Sequence, residues 1–243
     1  MITLHSVSKE LGQNQFKALV LDDINWTIPR RCRIAILGQR GSGISVLLEI
    51  IAGLSLPTRG WVDRSATISI PGGYIRYSRS GTARQLVSRL AQLYRADPED
   101  ILKFVTNAMQ RSDVVDVPVR QLPGAFRHQL NFALTYAVPC DFYCFDGHIE
   151  LGRPPRFRAF CRRAFAMRNE HSGSIVATTS SRVAASLGEG FMGGVLFRKK
   201  LTLYERLDDA IAVFDSLPLE ENASIPRDAL TEAEPIQEQD DMF

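Results

Sequence analysis

The residues best placed to do chemistry lie in one run: Gly38, Gln39, Arg40, Gly41, Ser42, Gly43, Ile44 and Ser45. Glycines at this spacing let backbone N–H groups converge on an anion, and a helix starting just after them favours negative charge through its dipole. The phosphate-loop pattern G-x-x-x-x-G-K-[ST] matches at Gly38, Gly43 and Ser45 but fails at the lysine, which is Ile44. A lysine would add a charge-assisted hydrogen bond to the outer phosphates, about 1.5 to 3 kcal/mol. Ile44 has no donor to offer. Ser45 remains as an oxygen ligand for Mg2+, and Arg40 could return positive charge from another direction. Two readings stand open: the loop is a retained piece of scaffold, or it keeps residual nucleotide binding.

Such a loop needs a strand before it and a helix after it. Ile34 to Leu37 is an apolar strand, and Val46, Leu47, Ile50, Ile51 and Leu54 mark one face of a helix. Upstream, Ile2–Val7 and Ala18–Ile28 read as strands of an N-terminal β-layer, with a polar loop from Gly12 to Lys17 and Pro29 closing the second. Strands are expected at Trp61–Val62 and Ala66–Ile70, the latter stopped by Pro71. Thr82 opens a helix with Leu86, Leu90 and Leu93 on one face, and Asp97 with Pro98 starts another that runs through Met109.

A helix follows from Gly124 or Ala125 to Tyr136, then an apolar strand from Asp141 to Phe145 that ends in Asp146. The rest reads as a basic helix at Arg156–Met167, a strand at Ser174–Thr178, a short helix at Ser181–Leu187, and a hairpin at Gly194–Phe197 and Leu201–Leu203. This alternation argues for an α/β fold: a mainly parallel sheet, an N-terminal antiparallel β-layer, and an α-helical subdomain inserted at about residues 82–135.

At 243 residues the chain can build one large α/β domain. No apolar run approaches the ~18 residues needed to cross a bilayer, and MITLHSVSKELG is not a signal peptide's apolar segment, so a cytoplasmic location is expected. Cys32, Cys140, Cys144 and Cys161 are too scattered for a disulfide framework. Cys140 and Cys144 lack the paired Cys or His set of a zinc site, so core packing is expected for them. Charge is uneven: from Ser216 onward eight acids face only Arg227, a net −7 that leaves +9 on the remainder of a chain whose total is +2. Residues 216–243 therefore read as an acidic, disordered tail after a domain spanning 1–215. The arginines from Arg153 to Arg168 could meet anionic lipid headgroups or a phosphorylated glycan carrier, or form a solvated face. No nucleic-acid partner is expected, because no aromatic interleaving or recognition motif accompanies them.

Three features in order carry a family resemblance: the loop at Gly38–Ser45, the segment LPGAFRHQL at Leu122–Leu130, and Asp146 closing DFYCFD 22 positions after Gly124. Together they resemble the P-loop NTPase-like ATP-binding subunit of an ABC transporter, with a signature segment ahead of the Walker B strand. The short N-terminal layer, GGYIRYSRSGTARQL at Gly72–Leu86 and RLAQLY at Arg89–Tyr94 most resemble subunits that export capsular or other surface polysaccharide. The resemblance implies ATP and Mg2+ as ligands and a polytopic membrane subunit as partner. It also implies a homodimer, or a heterodimer with another ATP-binding subunit, on the inner face of the plasma membrane.

Set against that family, many working side chains are missing. The adenine-stacking aromatic falls near Leu11, the loop lysine is Ile44, and the polar residue that couples nucleotide to the membrane subunit falls near Ser78. In the signature, Pro123 and Ala125 flank a retained Gly124. Asp146 is kept as the Walker B aspartate, with Ser45 as its companion on Mg2+. The catalytic glutamate is Gly147, the D-loop aspartate Arg153 and the switch histidine Thr179. A degenerate subunit with weak or absent hydrolysis is expected. The alternatives are a slow ATPase using Arg40 or His148 as replacements, and a stand-alone interaction protein.

Overall fold

The computed structural model describes residues 1–12, 17–71, 81–147 and 154–218. Its centre is the strand β3 (Arg33–Gly38), in which Ile34 to Leu37 are almost fully buried. Both faces of this strand are covered, so its sequence is continuously apolar instead of alternating. Ile34 and Ile36 point to one core, Ala35 and Leu37 to the other.

Five strands form the main sheet in the order β5 (Phe142–Asp146), β6 (Gly173–Thr178), β3, β7 (Met192–Phe197) and β8 (Lys200–Tyr204). The first four are parallel, and β8 returns antiparallel to β7 as a hairpin. A separate antiparallel sheet has the order β2 (Ala18–Ile28), β1 (Ile2–Leu11), β4 (Arg59–Arg64). It packs with helix α1 (Ile44–Ala52) on one face of the main sheet, where Leu47 and Ile51 are fully buried. Burying each such side chain contributes about 1.5 to 3 kcal/mol relative to leaving it in water.

The opposite face carries α2 (Ala83–Tyr94), α3 (Pro98–Met109), α4 (Gly124–Ala137), α5 (Pro155–Asn169) and α7 (Leu207–Ser216); α6 (Ser181–Ala185) follows β6. Tyr136, Phe145, Phe165 and Phe191 form a chain of rings through this core, with centroids 5.4 to 6.4 Å apart. Arg168 of α5 donates to the carbonyls of Tyr136 (3.0 and 2.8 Å) and Ala137 (3.2 Å) in the last turn of α4, where carbonyls need donors from outside the helix. Its guanidinium also lies 5.7 Å from the centre of the Phe104 ring. One side chain thus joins α3, α4 and α5.

Several expectations need correction. Residues 66–70 do not form a strand of their own. They run beside β5, touching its ladder at Ile68 and Phe142, with Ser69 N–H donating to the Phe142 carbonyl (2.9 Å). Pro71, which cannot donate to a ladder, ends the pairing. Leu93 is 66% exposed; the buried face of α2 is Ala83, Leu86, Val87, Leu90 and Ala91. Leu54 lies past the end of α1 and is 48% exposed, because left-handed Gly53 stops that helix. Helix α7, which carries the chain through Ser216, has no counterpart in the sequence reading.

Candidate functional site

The C-terminal ends of β3, β5 and β6 lie along one edge of the sheet, and the chemically interesting positions collect there. Gly41 and Gly43 adopt left-handed φ angles of 88° and 96°. Gly43 is the N-cap of α1, so the helix begins with no side chain over its first amides. A Cβ on Gly43 would come 3.1 Å from the Val20 carbonyl of β2, so glycine is required there by both backbone conformation and crowding. The antiparallel layer thus presses directly on the loop.

Ile44 is 5% exposed and packs among Ile36, Leu47, Leu48 and Leu196. Its Cγ2 sits where a side chain on Gly38 would begin, 2.4 Å from an ideal Cβ, and Ser42 Oγ is equally near. The side chain at position 44 is therefore inside the turn, which it fills with hydrocarbon. Ser42 is 6% exposed and its Oγ has no hydrogen-bond partner among the described residues, while its N–H donates to the Gln39 carbonyl at 3.0 Å. A buried hydroxyl without a partner, beside amides that no side chain caps, fits the oxygens of a phosphate. Arg40 and Gly41 are exposed and Ser45 is half-buried.

Asp146 ends β5, paired in register with Ala177 of β6. The next residue, Gly147, has φ 89° and donates its N–H to the Ala177 carbonyl at 2.6 Å. Among the described residues, nothing lies within 4 Å of where a Cβ at Gly147 would sit, and the left-handed backbone there disfavours a side chain. Thr179, just past β6, is exposed; its neighbour Thr178 is buried, with Oγ1 accepting from Ser180 N–H at 3.2 Å.

Pro123, Gly124 and Ala125 are exposed at the start of α4, which has neither a side-chain cap nor an acid in its first turn. Leu11, at the end of β1, is half-buried opposite Ala18. Ser78, His148 and Arg153 lie outside the described residues, as does the acidic segment from Leu219 onward.

One contact had no sequence signal. Gln39 Nε2 donates to the carbonyl of Pro218 at 2.8 Å, so the chain leaving α7 returns to the phosphate loop. Only the tertiary fold brings residues so distant in sequence together. All four cysteines are buried as thiols. Burial pushes the Cys140 thiol up to about 12 and raises those of Cys144 and Cys32, which makes them poor thiolates. Among the described residues, no group of three or more His, Cys, Asp or Glu is placed to hold a metal.

Comparison with known proteins agrees with this layout. A family model described as ABC transporter matches residues 21–148. The ATP-binding protein BexA of Haemophilus influenzae is 30% identical over 183 residues, covering 74% of this chain and 84% of BexA. The capsule polysaccharide export ATP-binding protein CtrD of Neisseria meningitidis serogroup B is 28% identical over 220 residues, covering 90% of this chain and 100% of CtrD. A solved dimeric structure of the ATP-binding cassette MJ0796, in a post-hydrolysis state bound to ADP and Pi, superposes with a TM-score of 0.71. It is 19% identical, with 85% of this chain and 99% of that one covered. A glycine-rich loop on the central strand, a second uncapped helix carrying Gly124, and an aspartate closing β5 recur here in the family's order: the chain is an ATP-binding domain of the ABC transporter family.

Proposed function

We propose that this chain is the ATP-binding subunit of an ABC exporter of capsular or other surface polysaccharide, and that within it the chain acts as a structural or regulatory half with weak or absent ATP hydrolysis. The export assignment is supported by its similarity to CtrD, named for capsule polysaccharide export, and to KpsT of Escherichia coli, named for polysialic acid transport. The observation that carries the impaired-hydrolysis reading is Ile44, buried hydrocarbon at the position where the family's loop places its cation.

The residues divide into those that suit a nucleotide and those that do not. The uncapped amides at the start of α1 and the Ser42 hydroxyl suit phosphate oxygens, while Ser45 and Asp146 offer the two oxygen donors for Mg2+. ATP bound there would supply its own reactive γ-phosphate. Splitting it requires a base to orient water, and Gly147 and Thr179 offer neither a carboxylate nor an imidazole. Loss of a positioned base alone typically costs 10²- to 10⁴-fold in rate, and preorganised charge around the phosphates is usually the larger contribution.

The chain would sit in the cytoplasm against the inner face of the plasma membrane, bound to a polytopic membrane subunit. Dimerisation with a second copy would leave two impaired sites. In a heterodimer, an intact partner's loop would face Pro123, Gly124 and Ala125, where Pro123 supplies neither hydroxyl nor N–H. A second reading, a slow ATPase, rests on Arg40, which is exposed within the loop.

The deciding measurement is phosphate release by the purified chain with Mg2+ and ATP. No release above background is expected, and turnover near one per second overturns the reading. Failure to co-purify with a polytopic membrane subunit overturns the transporter role separately.

A further inference from the structure

We propose that the exposed face of α5 is a docking surface for this chain's own acidic segment, residues 219–243. The face is a groove of about 470 Å³ lined by Pro155, Arg158, Ala159, Arg162 and Arg163. Arg156 is exposed at the N-terminal end and Met167 at the other. Helical spacing puts Arg158 and Arg162 on one side of the alanine line and Arg156 and Arg163 on the other, so cations rail an apolar strip.

One feature of α5 works against an isolated helix. Its first turn contains Arg156 and Arg158, no acid and no side-chain cap, although the dipole at that end favours negative charge. An anionic partner along this face relieves it.

Residues 219–243 match the surface in charge and in position. They hold eight acids, Glu220 to Asp241, against Arg227 alone, with isolated apolar residues such as Ile225, Leu230 and Ile236 suited to the strip. The segment departs from Pro218, whose carbonyl is held by Gln39 at the end of β3. Strand β5, which leads toward α5, is two strands away in the parallel sheet, about 10 Å at the usual spacing. A chain of 25 residues can span at most about 80 to 90 Å. That reaches all of α5, whose 15 residues span about 22 Å. Because the two partners are tethered, even a weak contact is populated.

The test uses the full chain with spin labels on cysteines introduced by Ala166→Cys and Gln237→Cys; the four native thiols are buried. The labelled protein is diluted with unlabelled chain so that only distances within one chain are read. A narrow, short label-to-label distance at 0.1 M salt is expected. It should broaden at 1 M salt, where the screening length falls from about 10 to about 3 Å. It should also be lost in the triple variant Arg156→Glu, Arg158→Glu, Arg163→Glu, and return when Glu232→Lys, Glu234→Lys and Glu238→Lys are added.

Loss in the arginine variant counts only where its circular dichroism matches the parent; the tail-side reversal alone, which leaves the folded domain untouched, must produce the same loss. A broad distribution indifferent to salt, or a narrow one that survives both reversals, overturns the proposal. So does sedimentation with phosphatidylglycerol vesicles through these arginines with the tail label unmoved, which would assign the face to a lipid surface.

Discussion

The helices of this protein start in two different ways. In α2, Thr82 Oγ1 accepts from Gln85 N–H and the Gln85 side chain accepts from Thr82 N–H; in α3, Asp97 accepts from Glu99 N–H at 2.8 Å ahead of Pro98. Helices α1, α4 and α5 have no side chain over their first amides. The capped helices α2 and α3 complete their first hydrogen bonds within the chain and pack on the helical face of the main sheet. In α1 and α4, the uncapped ends coincide with the phosphate loop and the Gly124 segment. Backbone provision for an anion is therefore present at both ends, where no side chain competes for the amides.

The largest expected effect tests that provision directly. Ile44→Lys places an ammonium beside the uncapped amides of α1 and should tighten ATP binding by about 10- to 150-fold, the equivalent of about 1.5 to 3 kcal/mol. Isothermal titration measures it. Unchanged affinity would mean that the uncapped start of α1 is not an anion site, and the contrast with α2 and α3 would lose its meaning.

Next comes the loop's own backbone. Gly43→Ala forces a side chain into a left-handed conformation beneath the Val20 carbonyl and should cost about 1 to 2 kcal/mol of stability. Urea denaturation checks this, and a neutral result would show that the loop relaxes freely.

The smallest effect is on the capped side. Asp97→Ala should cost about 1 kcal/mol, with Asn retaining most of the stability. Added phosphate should leave that difference unchanged, because the α3 amides have their acceptor within the chain.

The caps were legible in the sequence because they are local. Thr82 with Gln85 and Asp97 with Pro98 each complete their hydrogen bonding within a few residues. The order of strands and helices was legible for the same reason: β3 is apolar throughout because both of its faces are covered. What escaped depended on distant partners. The apolar residues at 66–70 resemble a strand, yet their place is set by Phe142 and Cys144 across the chain. Leu93 has the right helical phase but overhangs solvent at the end of α2. Helix α7 is short, half-exposed and without a side-chain cap, so its start at Leu207 gave no signal.

The site divides along the same line. The glycine pattern and Asp146 were visible in the residue order. Three features belong to the folded chain alone: the pressure of Val20 on Gly43, the left-handed backbone at Gly147, and the return of Pro218 to Gln39.

The four buried thiols give the molecule a built-in clock. Cys32 and Cys144 lie on the side of the sheet that carries α1, while Cys140 and Cys161 lie on the side that carries the helical subdomain. An electrophilic dye that cannot enter the native core reacts only when a face opens. The sequence in which the four sulfurs become modified therefore records which half of the protein comes apart first.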